Sequence, residues 1–254
     1  MLQVAVRVPI SSSWPAVKIL LRIGNRAAAA IGARADPGRE NYGTGRRRAA
    51  ATITAVHTFA DLRPHLAGRV VDLEPLRADH EPGLAAAAAD DRVWRFMRTV
   101  ATEPAAFQEW FGEALAAADS GLEAPFCIVR RRDDRAIGSS RYLALRPADR
   151  VLEIGYSWVT PAAWGSGANT DAKLLLLTHA FERLGCLRVE FKTDARNERS
   201  RAALAAIPAT FEGVFRKHML VRGGERRDSA WYSVIDDDWP SVKAALTARV
   251  EAKA

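Results

Sequence analysis

The stretch PAAWGSGANTDAK, residues 161–173, carries the most readable chemistry in this sequence. It joins an apolar strand pattern, VLEIGYSWVT (151–160), to a helical pattern, TDAKLLLLTHAFERLG (170–185). Gly165 and Gly167 permit tight backbone curvature, and the first N–H groups of a helix have no intrahelical acceptor. Such a loop can hold an anion. An ordinary strand-to-helix turn with two glycines reads the same way. There is no GxxxxGK[ST] and no GxGxxG followed by a strand-end acid, which excludes the P-loop and the dinucleotide fingerprint. A second group follows the strand pattern CLRVEFKTD (186–194): Asn197 and Ser200 stand at a helix start, where Asn197 is also suited to capping. If the two strands are parallel, both groups project from one sheet edge, the usual place for a ligand in mixed sheets.

Other chemistries find little support. Two cysteines, Cys127 and Cys186, cannot staple a secreted scaffold or build a four-thiolate zinc site. The five histidines show no ligand spacing, so no metal is expected; His179, amid Leu174–Phe181, reads as a core or helix-surface residue. The longest bulky apolar run, Leu174–Leu177, is far too short to span a bilayer, and a reducing, cytoplasmic compartment is expected. The formal charge of +7 would suggest a nucleic-acid partner, but residues 1–50 hold nine of the 37 basic residues and two of the 30 acidic ones. The other 204 residues are neutral, with 28 of each sign, so no nucleic-acid partner is expected. Residues 1–56, rich in Gly, Ala and Arg, are read as a dispensable or disordered extension, and 57–254 as the folded domain. A basic binding tail and a targeting peptide are the alternatives for the extension.

The elements that must position these residues follow from periodicity and turn signals. A strand is expected around 69–76 and a helix over 80–89, with WRFM (94–97) as irregular buried contacts. The next helix has Thr102 as its cap, Pro104 in its first turn and Gly121 at its end. Phe107, Trp110, Phe111, Ala114, Leu115 and Ala118 form its apolar stripe. Strands 125–131, 136–145 and 151–160 read as an antiparallel meander. Strand 151–160, the helix ending at Gly185, and strand 187–193 form a βαβ unit, so those two strands should be parallel. A helix over 197–207, a hairpin across Gly223–Gly224 and a terminal helix from Asp238 to about Val250 complete an α+β domain with a mixed sheet.

The order and spacing of VVDLEPLRADH (70–80), PFCIVRRRDDRAIGSSRY (125–142), residues 152–204, EGVFRKHM (212–219) and RDSAWYSVIDDDWP (227–240) resemble the GNAT superfamily of acyl-CoA N-acyltransferases. Within it, they resemble the branch of ribosomal-protein N-terminal alanine acetyltransferases. The resemblance spans about residues 60–250. It implies the GNAT fold: a mostly antiparallel sheet whose central parallel pair splays at the cofactor, with helices on both faces. It implies acetyl-CoA as co-substrate, its pyrophosphate gripped by the backbone of Trp164, Gly165, Ser166, Gly167, Ala168, Asn169 and Thr170. Trp164 stands where the family has Gln or Arg, Asn169 where it has Gly or Ala, and Pro208 where it has Gly. Asn197 matches the residue facing the pantetheine arm, and Ser200 the serine after it.

The chemistry implied is direct attack of an amine on the thioester, so neither cysteine need take part. Glu153, in a strand that should be central, is the candidate base or ammonium partner, with Glu190 its rival on the neighbouring strand. Ser200 is the candidate acid for the departing thiolate, with Tyr232 as the other choice. In a regular strand Tyr156 and Trp158 would lie on the face opposite Glu153. The acceptor is an amine, either a protein N-terminus or a small molecule. The other function class left open is an acyl-CoA-binding sensor or scaffold with little activity.

Overall fold

The structure, a computed structural model, describes residues 57–253. The fold below belongs to the unit Ile53–Ala254. The expectation for residues 1–56 lies outside the described residues.

Among the described residues eight strands form one sheet. In chain order they are β1 (Leu66–Ala67), β2 (Val71–Pro75), β3 (Ala124–Arg130), β4 (Arg135–Arg146), β5 (Val151–Val159), β6 (Arg188–Asp194), β7 (Thr210–Val221) and β8 (Glu225–Ile235). Their spatial order is β1-β2-β3-β4-β5-β6-β8-β7. All neighbours are antiparallel except β5 and β6, which are parallel, as a strand–helix–strand crossover requires. Among the described residues six α-helices cover the sheet: α1 (Glu81–Ala88), α2 (Asp91–Trp94), α3 (Pro104–Asp119), α4 (Ala168–Glu182), α5 (Glu198–Ala206) and α6 (Trp239–Glu251).

Two cores result, one on each face. The larger packs Leu152, Ile154 and Val189 of the sheet against Leu176 and Leu177 of α4, Leu204 of α5 and Leu246 of α6. The smaller packs Cys127 and Trp158 against Leu84 of α1 and Trp94, Phe107, Trp110 and Phe111. Cys127 is thus a core residue, and burial pushes its thiol up to about 12. The α3 stripe is buried at Phe107, Trp110, Phe111, Ala114 and Ala118, while Leu115 is half-buried. Each large side chain removed from water stabilises by roughly 1.5–3 kcal/mol, and this stripe fixes α3 on the sheet.

Three local expectations need correction. The residue capping α3 is Glu103, not Thr102, because the helix begins at Pro104 itself. Residues 91–94 form the one-turn helix α2, capped by the Asp90 carboxylate accepting from the Arg92 N–H, and of WRFM only Trp94 is fully buried. Its indole N–H reaches the Ala88 carbonyl at 2.7 Å, which ties α2 to α1.

The third correction concerns β5. Arg141 of β4 pairs with Gly155, but Ser139 pairs with Trp158, so β5 carries one extra residue. Tyr156 takes it up with φ 47°, a left-handed conformation. The alternation of faces therefore reverses. Before the bulge, Leu152 and Ile154 face the larger core; after it, Val159 does and Trp158 faces the smaller one. Trp158 thus shares the face of Glu153, contrary to the regular-strand expectation.

Candidate active site

The site is built where β5 and β6 part. Their pairing runs from Val151–Arg188 to Glu153–Glu190 and stops, although β6 continues paired with β8 to Asp194–Ser229. Beyond Glu153 and Glu190 the facing edges of β5 and β6 carry no partner strand among the described residues. The bulge at Tyr156 falls at this point and turns the backbone of Tyr156 and Ser157 away from the regular ladder.

The loop after β5 leads to the N-terminus of α4. Gly165 (φ 76°) and Gly167 (φ 89°) are both left-handed, and Gly167 is the residue capping α4. A β-carbon at Gly167 would lie 2.9 Å from the Lys253 Cβ, so glycine is required there twice over. The Ala168 N–H donates to Ser166 Oγ at 3.3 Å, whereas the N–H groups of Gly165, Gly167, Asn169 and Thr170 find no acceptor among the described residues. Asp171, one turn in, is spent on the fold: its Oδ2 accepts the Arg69, Val70 and Val71 N–H groups at 2.9, 2.6 and 3.0 Å. That carboxylate pins the β1–β2 turn to α4.

Trp164, the departure from the family pattern, has a defined place. Its indole N–H donates to the Val159 carbonyl at 3.0 Å and its ring is partly exposed. The Arg199 guanidinium lies 3.4 Å from the ring centroid and that of Arg92 lies 5.4 Å from it. Arg92 is paired with Asp90, but Arg199 has no acidic partner among the described residues. Burial and the neighbouring Arg92 charge both weigh against the charged form of Arg199. A phosphate-bearing ligand at the α4 N-terminus would relieve both. The residues present therefore fit an acyl-CoA pyrophosphate, with two arginines on an indole standing near the position of the expected Gln or Arg.

Asn197 and Ser200 also lie at this edge. The Asn197 side-chain Oδ1 accepts the Ser200 N–H at 3.1 Å, so it caps α5, and Ser200 is the third residue of that helix, its hydroxyl unbonded among the described residues. The Tyr232 hydroxyl is instead taken by Arg201 Nε at 3.2 Å.

Glu153 is 2% exposed and bonded to the Lys192 ammonium at 2.8 Å. Burial pushes its carboxyl above the usual carboxylate range; Lys192 and Arg227 oppose this, and Glu190 adds to it. Glu190 is held between Arg146 and Arg188, each at 2.9 Å. Two guanidiniums occupy its oxygens, so of the two rivals Glu153 is the freer to accept a proton.

Two residues beside the bulge were not singled out from sequence. Lys173 of α4 is buried with no carboxylate partner among the described residues, and its ammonium is held by Ser157 and Ser140, which also bond each other at 2.7 Å. Burial pulls its pKa down to about 7. The signal was its spacing, three and four residues before the buried Leu176 and Leu177. Arg141, 4% exposed, stands opposite Gly155; a charge in the middle of the strand SSRYLAL was its signal.

Elsewhere, a cavity of about 450 Å³ lies between β1, α4 and α6, lined by His65, Leu174, Thr178 and Thr247 among others. Neither the glycine loop nor Glu153 or Ser200 lines it. Among the described residues no group of three or more His, Cys, Asp or Glu side chains could hold a metal ion, and no helix is long and apolar enough to cross a membrane.

Known proteins resemble this chain. A curated relative, the uncharacterized N-acetyltransferase YoaA of Bacillus subtilis, is 30% identical over 108 residues, which is 42% of this chain and 60% of the relative's length. The crystal structure of a GCN5-related N-acetyltransferase from Brucella melitensis is 32% identical, with a TM-score of 0.69 over 74% of this chain and 86% of that one. Mycobacterium smegmatis RimJ, solved in complex with CoA-disulfide, is 24% identical and covers 73% of this chain and 94% of its own, with a TM-score of 0.62, a likeness of fold. The family model of the acetyltransferase (GNAT) domain matches residues 71–208, more than half of the sequence and the whole of the splayed strands, the glycine loop and α5. With that match on top of the fold, the chain belongs to the GNAT acetyltransferases.

Proposed function

We propose that this protein is an acetyl-CoA-dependent N-acetyltransferase of the branch related to ribosomal-protein N-terminal acetyltransferases, acting by direct transfer to a primary amine. One observation carries the reading. A loop of unpaired N–H groups at a helix N-terminus stands beside a strand pair that opens where a buried carboxylate, Glu153, is waiting. When bound, acetyl-CoA supplies the acetyl group as a thioester: the new N–C bond forms as the C–S bond breaks, and CoA leaves as the thiol. The protein's own part is positional and electrostatic. Gly165 and Gly167 aim amides at the pyrophosphate, and Arg92 and Arg199 offset its charge. The unpaired edge of β5 past the bulge offers backbone donors to the polarised carbonyl. Glu153 takes the proton of the attacking amine, and the Ser200 hydroxyl gives one to the sulfur. RimJ's likeness of fold, with CoA-disulfide bound in that protein, supports this use of the fold.

The test is acetylation of an amine panel, read by thiol release and by the mass of the acetylated product. The expected result is thiol release that needs an amine and matches product formation one for one. Saturable acetyl-CoA binding without any amine-dependent release would favour the sensor reading.

A further inference from the structure

Five buried side-chain nitrogens lack a hydrogen-bond partner among the described residues, and four belong to three residues linked through Trp110: Arg141 Nε and Nη2, Trp110 Nε1 and Trp158 Nε1. The Arg141 guanidinium lies 4.8 Å from the Trp110 ring centroid, whose own centroid is 6.0 Å from that of Trp158. Buried donors without acceptors are rare in folded proteins and call for a cause.

The geometry of Arg141 says what kind of acceptor is missing. Its Nη1 donates to Glu123 at 2.8 Å, which occupies one corner of the fork. The free edge is the one formed by Nε and Nη2. Elsewhere in this chain that same edge grips a carboxylate: Arg92 on Asp90, Arg130 on Asp133 and Arg196 on Asp194. The rings of Trp110 and Tyr156 lie over the guanidinium, the latter at 4.5 Å, and supply no lone pair in its plane. A planar fork with both in-plane donors free matches a carboxylate in bidentate contact.

Its location ties it to the reaction. Arg141 is opposite Gly155, and Leu143, two residues along β4, is opposite Glu153, so Arg141 and Glu153 are diagonal neighbours on one face. That face is the one to which the bulge returns Trp158. A cationic fork and a buried carboxylate side by side complement an amine and a carboxylate on one small molecule.

We propose, resting on the acetyltransferase reading above, that the acceptor is a free amino acid. Arg141 holds its carboxylate, the Trp110 and Trp158 N–H groups complete the anion's shell, and its amine is presented to Glu153. The half-buried Tyr156, whose ring covers one face of the guanidinium, is the side chain the ligand passes. The acetyl group is transferred with the balance already given, and the product is an N-acetyl amino acid.

The experiment compares L-phenylalanine, L-leucine and L-methionine with their carboxamides and with C-amidated peptides, using the full chain. One arm reads kcat/KM for thiol release, and the other reads the melting-temperature rise each compound gives without turnover. The free acids should exceed the amides by roughly 100-fold in kcat/KM. Arg141→Lys, which keeps a charge but loses the fork, should collapse that ratio toward one. Trp158→Phe, which keeps the ring and loses one N–H, should reduce it by roughly ten-fold, mostly through KM. Acids and amides used equally, amidated peptides preferred, or a ratio untouched by both variants would overturn the proposal. Should no compound release thiol while acids alone raise the melting temperature in an Arg141-dependent way, the activity reading fails and the carboxylate site stands.

Discussion

Glu153 and Lys173 are buried ionisable residues near the bulge, and their shifts have opposite consequences. Glu153 must be ionised to accept a proton, and its pKa is raised, so kcat/KM should rise with pH through a value above the ordinary carboxylate range and then level. Glu153→Gln should lower kcat by roughly 10²–10⁴-fold and abolish that acidic limb while acetyl-CoA affinity stays within a few-fold. A pH–rate profile of both proteins checks this. Lys173 is depressed to about 7 in the fold from an ordinary 10.5. Between those values the unfolded chain binds more protons, so stability rises with pH across that window. Lys173→Met removes the cost of a buried charge and leaves Ser140 and Ser157 bonded to each other. It should raise the melting temperature at pH 6 by about 5 °C or more. The gain should shrink steadily toward pH 10; a constant difference would mean the ammonium is not the cause.

At the scale of elements, Pro208 follows α5 with φ 34°, a region a proline ring strongly disfavours. The family's glycine at this position accepts that conformation freely. Pro208→Gly is therefore expected to stabilise by about 1–3 kcal/mol, less the added entropy of a glycine in the unfolded chain, as a denaturant melt would show. The elements themselves were largely legible. The α3 stripe, the hairpin glycines and the β5–α4–β6 crossover announce themselves by spacing, because each depends on neighbours in sequence. What was not legible depends on distant partners. Tyr156 is an ordinary strand residue by type, and nothing local says that it bends left-handed to return Trp158 to the Glu153 face. The short strand β1 exists because β2 and the Asp171 carboxylate receive it. The arginines on Trp164 come from α2 and α5, separated from it by tens of residues.

For the whole molecule, the charge imbalance confined to residues 1–50 and the neutral remainder set what truncation should do. Deleting residues 1–55 is expected to leave the melting temperature within about 5 °C and kcat/KM within two-fold, since residues 24–55, which adjoin the folded domain, have few bulky side chains to bury. A larger loss would show that the segment supports the domain. The central claim for the folded part is that the glycine loop at α4 holds acetyl-CoA for transfer at the open end of β5 and β6. Gly165→Val tests it more cleanly than a change at Gly167, because a β-carbon at Gly165 meets nothing within 4 Å and the substitution acts on the left-handed backbone alone. The decisive measurement is amine-dependent thiol release against acetyl-CoA concentration for the unaltered chain and Gly165→Val, each with its melting temperature. Saturation in the unaltered chain, with a cofactor KM at least roughly ten-fold higher in a folded Gly165→Val, is the predicted result. Equal saturation in both proteins, or no release from the unaltered chain with any amine, would contradict it.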